Sequence, residues 1–125
     1  MKSDKTPLSQ LTTDELVERF ADLAAQHGDA IYYLETAKAN RIFPKIKAVE
    51  NELKSRSGDQ RRELLRLYDH PNAFVRLNAA KATLALRPTT AREAIQKIAD
   101  SKERPVSFEA GMSLAMLDEG IYKPT

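Results

Sequence analysis

The sequence predicts an all-α fold, a short right-handed stack of antiparallel helix pairs with about 6 to 7 helices. Three observations carry that expectation. Ala, Leu, Lys, Arg and Glu are abundant, β-branched residues are sparse and Gly occurs only four times in 125 residues, a composition that favours helix over sheet. Apolar residues recur at spacings of three and four in one segment after another, and no stretch alternates as a strand does. Pro, Gly and capping residues punctuate these segments at intervals short enough to make successive helices antiparallel neighbours.

Residues 1–11 are polar, contain Pro7 and have no period, so a flexible arm is expected ahead of a single domain over 12–120, with 121–125 as a tail. Thr12 with Glu15 forms a capping box, and Leu16, Phe20, Leu23 and Ala24 follow on one face. This first helix is expected to close near His27 and Gly28, with Asp29 capping the next. Ile31, Leu34, Ile42, Ile46, Val49 and Leu53 keep helical phase, but Pro44 cannot donate an amide. A break near Asn40 to Phe43 is therefore expected, with Pro44 in the first turn of a new helix. Ser57 with Gln60 forms a second capping box before Leu64, Leu65, Leu67 and Tyr68. After a turn at Pro71 and Asn72, a helix to about Leu86 is expected to bury Val75, Ala79, Ala82 and Leu86, stopping ahead of Pro88. Thr90 with Glu93 caps a helix that turns Ala94, Ile95, Ile98 and Ala99 inward, and beyond Pro105 a last helix uses Val106, Ala110, Leu114 and Leu117 before Gly120 ends it.

Advancing the chain by 31 residues aligns Leu64 with Ile95, Leu67 with Ile98, Asp69 with Asp100, Val75 with Val106, Ala79 with Ala110, Ala80 with Gly111 and Leu86 with Leu117. A shift of 33 in the other direction carries only the apolar pattern, as in Ile42 with Val75 and Ile46 with Ala79. The order LLRLYDHPNAFVRLNAAKATLAL over Leu64 to Leu86 resembles a HEAT repeat, with a leucine-rich first helix, an Asp and Pro turn, then Val-Arg, an Ala pair and a closing Leu. Residues 95 to 117 repeat it with Ser107 where the Arg would stand. The length and the capped first helix are also similar to a small bacterial domain-of-unknown-function family, numbered twenty-nineteen. The first resemblance implies a HEAT-like α-α superhelix; the second implies a fold and no activity.

Absence of Cys removes disulfides, thiolate metal sites and thiol nucleophiles. No apolar run approaches the roughly 18 residues that cross a bilayer, and MKSDKTPLSQ lacks the apolar core of a signal peptide, so a cytoplasmic location and no membrane partner are expected. The net charge of +2 conceals an uneven spread. Residues 1–37 balance to −4, residues 38–87 to +7 and residues 88–125 to −1. Within the basic middle, Arg41, Lys45, Arg62, Arg66 and Lys81 are candidates for a binding face. In HEAT-like repeats the Arg of the Val-Arg position pairs with a turn Asp, so Arg76 is assigned to Asp69 or Asp100 as scaffold. His27 and His70 are expected at helix ends and lack a ligand partner at metal spacing, so neither a metal nor a cofactor is expected. No nucleophile motif, phosphate loop or carboxylate dyad is present. These features together lead to a non-enzymatic module that binds another protein, with an immunity-like, toxin-neutralising role as a narrower form by analogy of fold. Binding of nucleic-acid phosphates by the basic face is the alternative, and an enzyme with no identified site is the remaining one.

Overall fold

The computed structural model describes residues 5–125, and among these the chain is all-helical. Five α-helices form: α1 (Thr13–Tyr32), α2 (Thr36–Ser55), α3 (Ala73–Ala82), α4 (Pro88–Asp100) and α5 (Val106–Asp118). Two 3-10 segments accompany them, Leu8–Gln10 before α1 and Gln60–Asp69 between α2 and α3. α1 packs on α2, α4 on α5, and α3 lies between them, touching α1, the second 3-10 segment and α4.

Residues 1–4 of the expected arm lie outside the described residues. From Leu8 onward the arm is docked: Leu11 is buried, Leu8 packs on the core, and Arg56 Nη2 donates to the carbonyls of Leu8 (3.1 Å) and Leu11 (2.7 Å). The capping box at the start of α1 is formed as its spacing predicts. The Thr12 amide donates to Glu15 Oε1 at 2.9 Å, and the Glu15 amide donates to Thr12 Oγ1 at 3.1 Å.

Two expected interruptions are absent, each for a tertiary reason. Helix α1 runs through His27 and Gly28 to Tyr32, because Gly28 is where Phe74 of α3 comes closest. A Cβ at Gly28 would lie 2.5 Å from Phe74 Cγ and 2.7 Å from its Cβ, so the glycine serves packing. The closing left-handed residue is Leu34 at φ 59°, 86% exposed, with the Glu35 amide reaching back 2.8 Å to the Ala30 carbonyl. Pro44 stands inside an unbroken α2. Asn40, whose carbonyl loses its helical donor, and Pro44 are both on the exposed side, while Ala39, Ile42, Ile46 and Val49 are buried and hold the helix to the core.

The Gln60–Asp69 segment is ten residues of 3-10 helix, longer than such helices usually run. Its buried residues explain the winding, since Arg61, Leu64 and Leu67 recur every third position and three residues per turn stack them on one line. The second expected capping box takes another form. Asp59, not Ser57, caps the segment by accepting from the Arg61 amide at 3.3 Å, while Gln60 donates to the Ser57 carbonyl at 2.7 Å. Helix α3 ends at Ala82 rather than Leu86, and the buried Thr83 returns its hydroxyl to the Ala79 carbonyl at 2.9 Å. With the helix closed there, Leu84 is buried instead of Leu86. Helix α4 starts at Pro88, so Thr90 and Glu93 lie within it.

α3 divides the interior into two clusters. Val75, Ala79 and Ala82 face Leu16, Phe20, Ile46 and Leu53, whereas Ala73, Leu77 and Ala80 face Ile95, Ile98, Val106 and Leu114. Small residues on both sides of α3 let its neighbours approach closely.

Candidate functional site

Helix α5 carries two apolar stripes. Val106, Ala110 and Leu114 recur every fourth residue and are buried. Phe108, Met112 and Met116 recur at the same spacing on another face and are 65%, 47% and 40% exposed. The second stripe ends at a pocket of about 170 Å³ formed by α2, α3, α5 and the segment after α5. From α2 it takes Phe43, Ile46, Lys47 and Glu50; from α3 and its extension, Asn78, Lys81 and Leu84. Ser113, Met116 and Tyr122 close it. Tyr122 reaches this position because Gly120 turns the chain at φ 73°, so residues of the expected tail pack back on the molecule, with Lys54 Nζ donating to Thr125 Oγ1 at 3.3 Å.

Most polar groups of the pocket are already engaged. Lys47 Nζ pairs with Glu50 at 3.2 Å. Asn78 Nδ2 donates to the Phe74 carbonyl at 2.8 Å and Ser113 Oγ to the Glu109 carbonyl at 2.9 Å. The Tyr122 hydroxyl points to the Lys81 carbonyl at 3.5 Å, and burial raises its pKa. Lys81 is the exception: among the described residues its ammonium has neither a hydrogen bond nor an ion pair. Burial pushes its pKa below the ordinary 10.5; Lys47 adds to this, and Glu109 and Glu50 oppose it. His27 on α1 stands nearby, its ring centroid 6.0 Å from that of Phe43 and its buried Nδ1 without a partner. Burial lowers its pKa too, with Glu109 opposing and Lys81 assisting.

The five residues expected to form one basic face are dispersed. Arg41 and Lys45 are exposed on α2, and Arg62 is exposed on the 3-10 segment, 3.9 Å from Glu63. Arg66 is bound on two sides, to Asp14 at 2.9 Å and Glu63 at 2.6 Å, which raises its pKa. Asp14 lies in the first turn of α1 and Arg41 in the second turn of α2, beyond the other end of α1, so at 1.5 Å per residue they stand roughly 20 Å apart along the hairpin. Lys81 is in the pocket. Arg61 is not on a surface at all: it is 4% exposed and clasped by Asp59 through Nε to Oδ1 (2.9 Å) and Nη2 to Oδ2 (2.7 Å). That clasp lowers the Asp59 pKa.

The scaffold assignment of Arg76 changes partner. Its Nη1 donates to the carbonyls of His70 (2.7 Å) and Pro71 (3.1 Å), fixing the turn through its backbone, while Asp100 accepts from Gln96 at 2.9 Å. Asp69 makes no ion pair with it, because the turn presents carbonyls where the guanidinium arrives. His70 stands at the end of the 3-10 segment and its Nδ1 accepts from the Asn72 amide at 3.0 Å. Among the described residues no group of three His, Cys, Asp or Glu side chains is placed to hold a metal ion. Sequence reasoning missed Phe43, Asn78 and Tyr122, and passed over a legible signal, the fourfold spacing of Phe108, Met112 and Met116.

None of the curated proteins matches the chain. A solved structure is similar over nearly its whole length: the crystal structure of the protein RPA1889 from Rhodopseudomonas palustris CGA009 is 44% identical, covers 97% of this chain and 100% of that chain, and superposes with a TM-score of 0.89. The family model of a domain of unknown function, DUF2019, matches residues 14–118, from the first turn of α1 to the end of α5. The chain therefore belongs to the DUF2019 family.

Proposed function

We propose that this protein is a non-enzymatic interaction module that docks another cytoplasmic protein on the face where the outer stripe of α5 meets the Lys81 pocket. The observation that carries the proposal is the exposed run of Phe108, Met112 and Met116, continued across the pocket by the exposed Phe43. Isolated soluble proteins keep contiguous apolar patches small, and aromatic and Met side chains are enriched where proteins meet. Met adds adaptability, since its unbranched thioether repacks against different partners. An immunity-like role, in which the docked protein is a toxin, is the narrower form of this reading.

Cross-linking in the native host followed by reconstitution with the purified partner tests it. The expected outcome is one partner bound by the wild type and lost on Phe108→Ser with Met116→Ser, both exposed positions, with an unchanged circular dichroism spectrum as the check that the double variant is folded. Equal binding by that double variant overturns the proposal, as does a host in which no protein is captured. Phosphate binding by the basic segment has less support, because Arg61 and Arg66 are already compensated by carboxylates. It requires duplex affinity that falls steeply with salt and weakens on charge reversal at Arg62.

A further inference from the structure

We propose that the pocket between α2, α3 and α5 is an anchor site for a carboxylate carried beside a bulky apolar group, presented by an acidic, apolar segment of the partner protein. This rests on the docking reading above and adds the chemistry of what is docked. The pocket's charged lining consists of Lys47, Glu50 and Lys81, and the first two satisfy each other at 3.2 Å. One cation is left over. The other donors of the lining, those of Asn78, Ser113 and Tyr122, are directed at main-chain carbonyls. Lys81 is thus the donor with no acceptor, at the margin of a space otherwise lined by Phe43, Ile46, Leu84 and Met116.

Lys81 is half-buried and its ammonium stands uncompensated at the rim, so an arriving monoanion gains a charge-assisted hydrogen bond there while the apolar walls take up the group beside it. Volume sets the size of the anchor: the pocket measures about 170 Å³, and a cavity of about 150 Å³ accepts a benzene ring. One ring-sized group fits. Glu109 of α5 acts on Lys81 electrostatically without pairing with it, so it competes with the incoming carboxylate. The depressed pKa of Lys81 agrees with this picture, since a bound carboxylate would restore it.

The test titrates the full chain with phenylacetate and with its neutral isostere phenylacetamide, followed by amide chemical shifts. Phenylacetate is expected to bind in the low millimolar range, as suits so small a ligand, shifting the signals of Lys81, Ser113 and Tyr122. Phenylacetamide is expected to bind about fivefold more weakly or worse, the difference between a charge-assisted hydrogen bond and the neutral one its carbonyl still accepts. Lys81→Met should bring the two affinities together and is expected to fold, since it replaces an unpaired ammonium with an apolar chain of similar length. Glu109→Gln should strengthen phenylacetate binding. Equal affinities on the wild type, no saturable shift, or a preference that survives Lys81→Met would each overturn the inference. The wild-type comparison stands whatever the variants do. A ratio of one with an intact partner complex removes the anchor and leaves the docking face. A retained ratio with no partner in the host removes the docking face instead.

Discussion

The two clusters on either side of α3 are finished differently. The first, under α1, α2 and the 3-10 segment, is filled by Leu16, Phe20, Ile46 and Leu53, and the exposed face of α2 carries Arg41, Lys45 and Lys54. The second, under α4 and α5, is filled by Leu77, Ile95, Ile98 and Leu114, yet its last helix turns Phe108, Met112 and Met116 outward. A helix at the end of a packed series is expected to be polar on its outer side, since nothing of its own chain covers it. α5 departs from that rule along its whole length, α2 only at Phe43, where it borders the same pocket. Phe20 and Phe108, chemically the same side chain, therefore have different reasons to be there: one holds the fold, and the other contributes little to it.

The largest effects should separate those two phenylalanines. Phe20 is fully buried, so Phe20→Ala is expected to lower the unfolding free energy by about 3–5 kcal/mol through lost transfer energy and the cavity left behind. Phe108→Ser, at a 65% exposed site, is expected to stay within about 0.5 kcal/mol of the wild type. Urea denaturation of both variants measures the contrast. A large loss at Phe108 would mean that the outer stripe serves the second cluster and is not held free for a partner.

A somewhat smaller effect tests how α1 meets the partition. Gly28→Ala gains about 1 kcal/mol of helix propensity but places a methyl group 2.5 Å from Phe74 Cγ. Because the clash involves the root of the Phe74 side chain, rotation cannot relieve it, and overpacking of this kind costs about 1–3 kcal/mol. A net loss in the thermal midpoint is expected, and Gly28→Ala combined with Phe74→Ala should recover part of it. An unchanged midpoint in the single variant would show that α1 and α3 have room to part.

The features legible in the sequence are those decided by near neighbours. The Thr12 and Glu15 capping box depends on residues three apart and forms as written. The 31-residue correspondence also holds at the level of burial: Leu64 with Ile95, Leu67 with Ile98, Val75 with Val106 and Ala79 with Ala110 are buried at both members. Its last small pair does not carry over, since Gly111 has nothing within 4 Å of a Cβ while Ala80 is fully buried. The local meaning of Gly28, a stop, is overruled by Phe74 packing on it, and that of the exposed Pro44, a break, by the buried Ala39, Ile42, Ile46 and Val49 that hold the helix on either side of it. The site was less legible for a related reason. Lys81 has the same composition-level signature as Arg41 or Lys45, and only the neighbours that fold around it distinguish an unpaired cation in a pocket from a solvated one. The outer stripe of α5 was readable, but a helix with two apolar stripes looks like an ordinary core helix once the inner one has been assigned.

The smallest effect, a dependence of stability on pH, links the two halves. His27 belongs to α1 and the first cluster's side of the molecule, while Lys81 and Glu109, which act on it, lie on α3 and α5. Burial lowers the His27 pKa below 6.5, so the folded chain holds the imidazole neutral and the unfolded chain binds the extra proton. Stability from this source is complete above pH 6.5 and is lost as pH falls through the lower, folded value. The Asp59 carboxylate, clasped by Arg61, follows the same sign but in a window below 3.8, so the two contributions separate. The midpoint of unfolding should therefore decline modestly between about pH 7.5 and about pH 5, and His27→Leu should flatten that slope. Lys81→Met should flatten it as well, because removing the cation lets the folded imidazole accept its proton more readily. A slope untouched by Lys81→Met would place the whole effect in burial and deny the pocket cation any hold on α1.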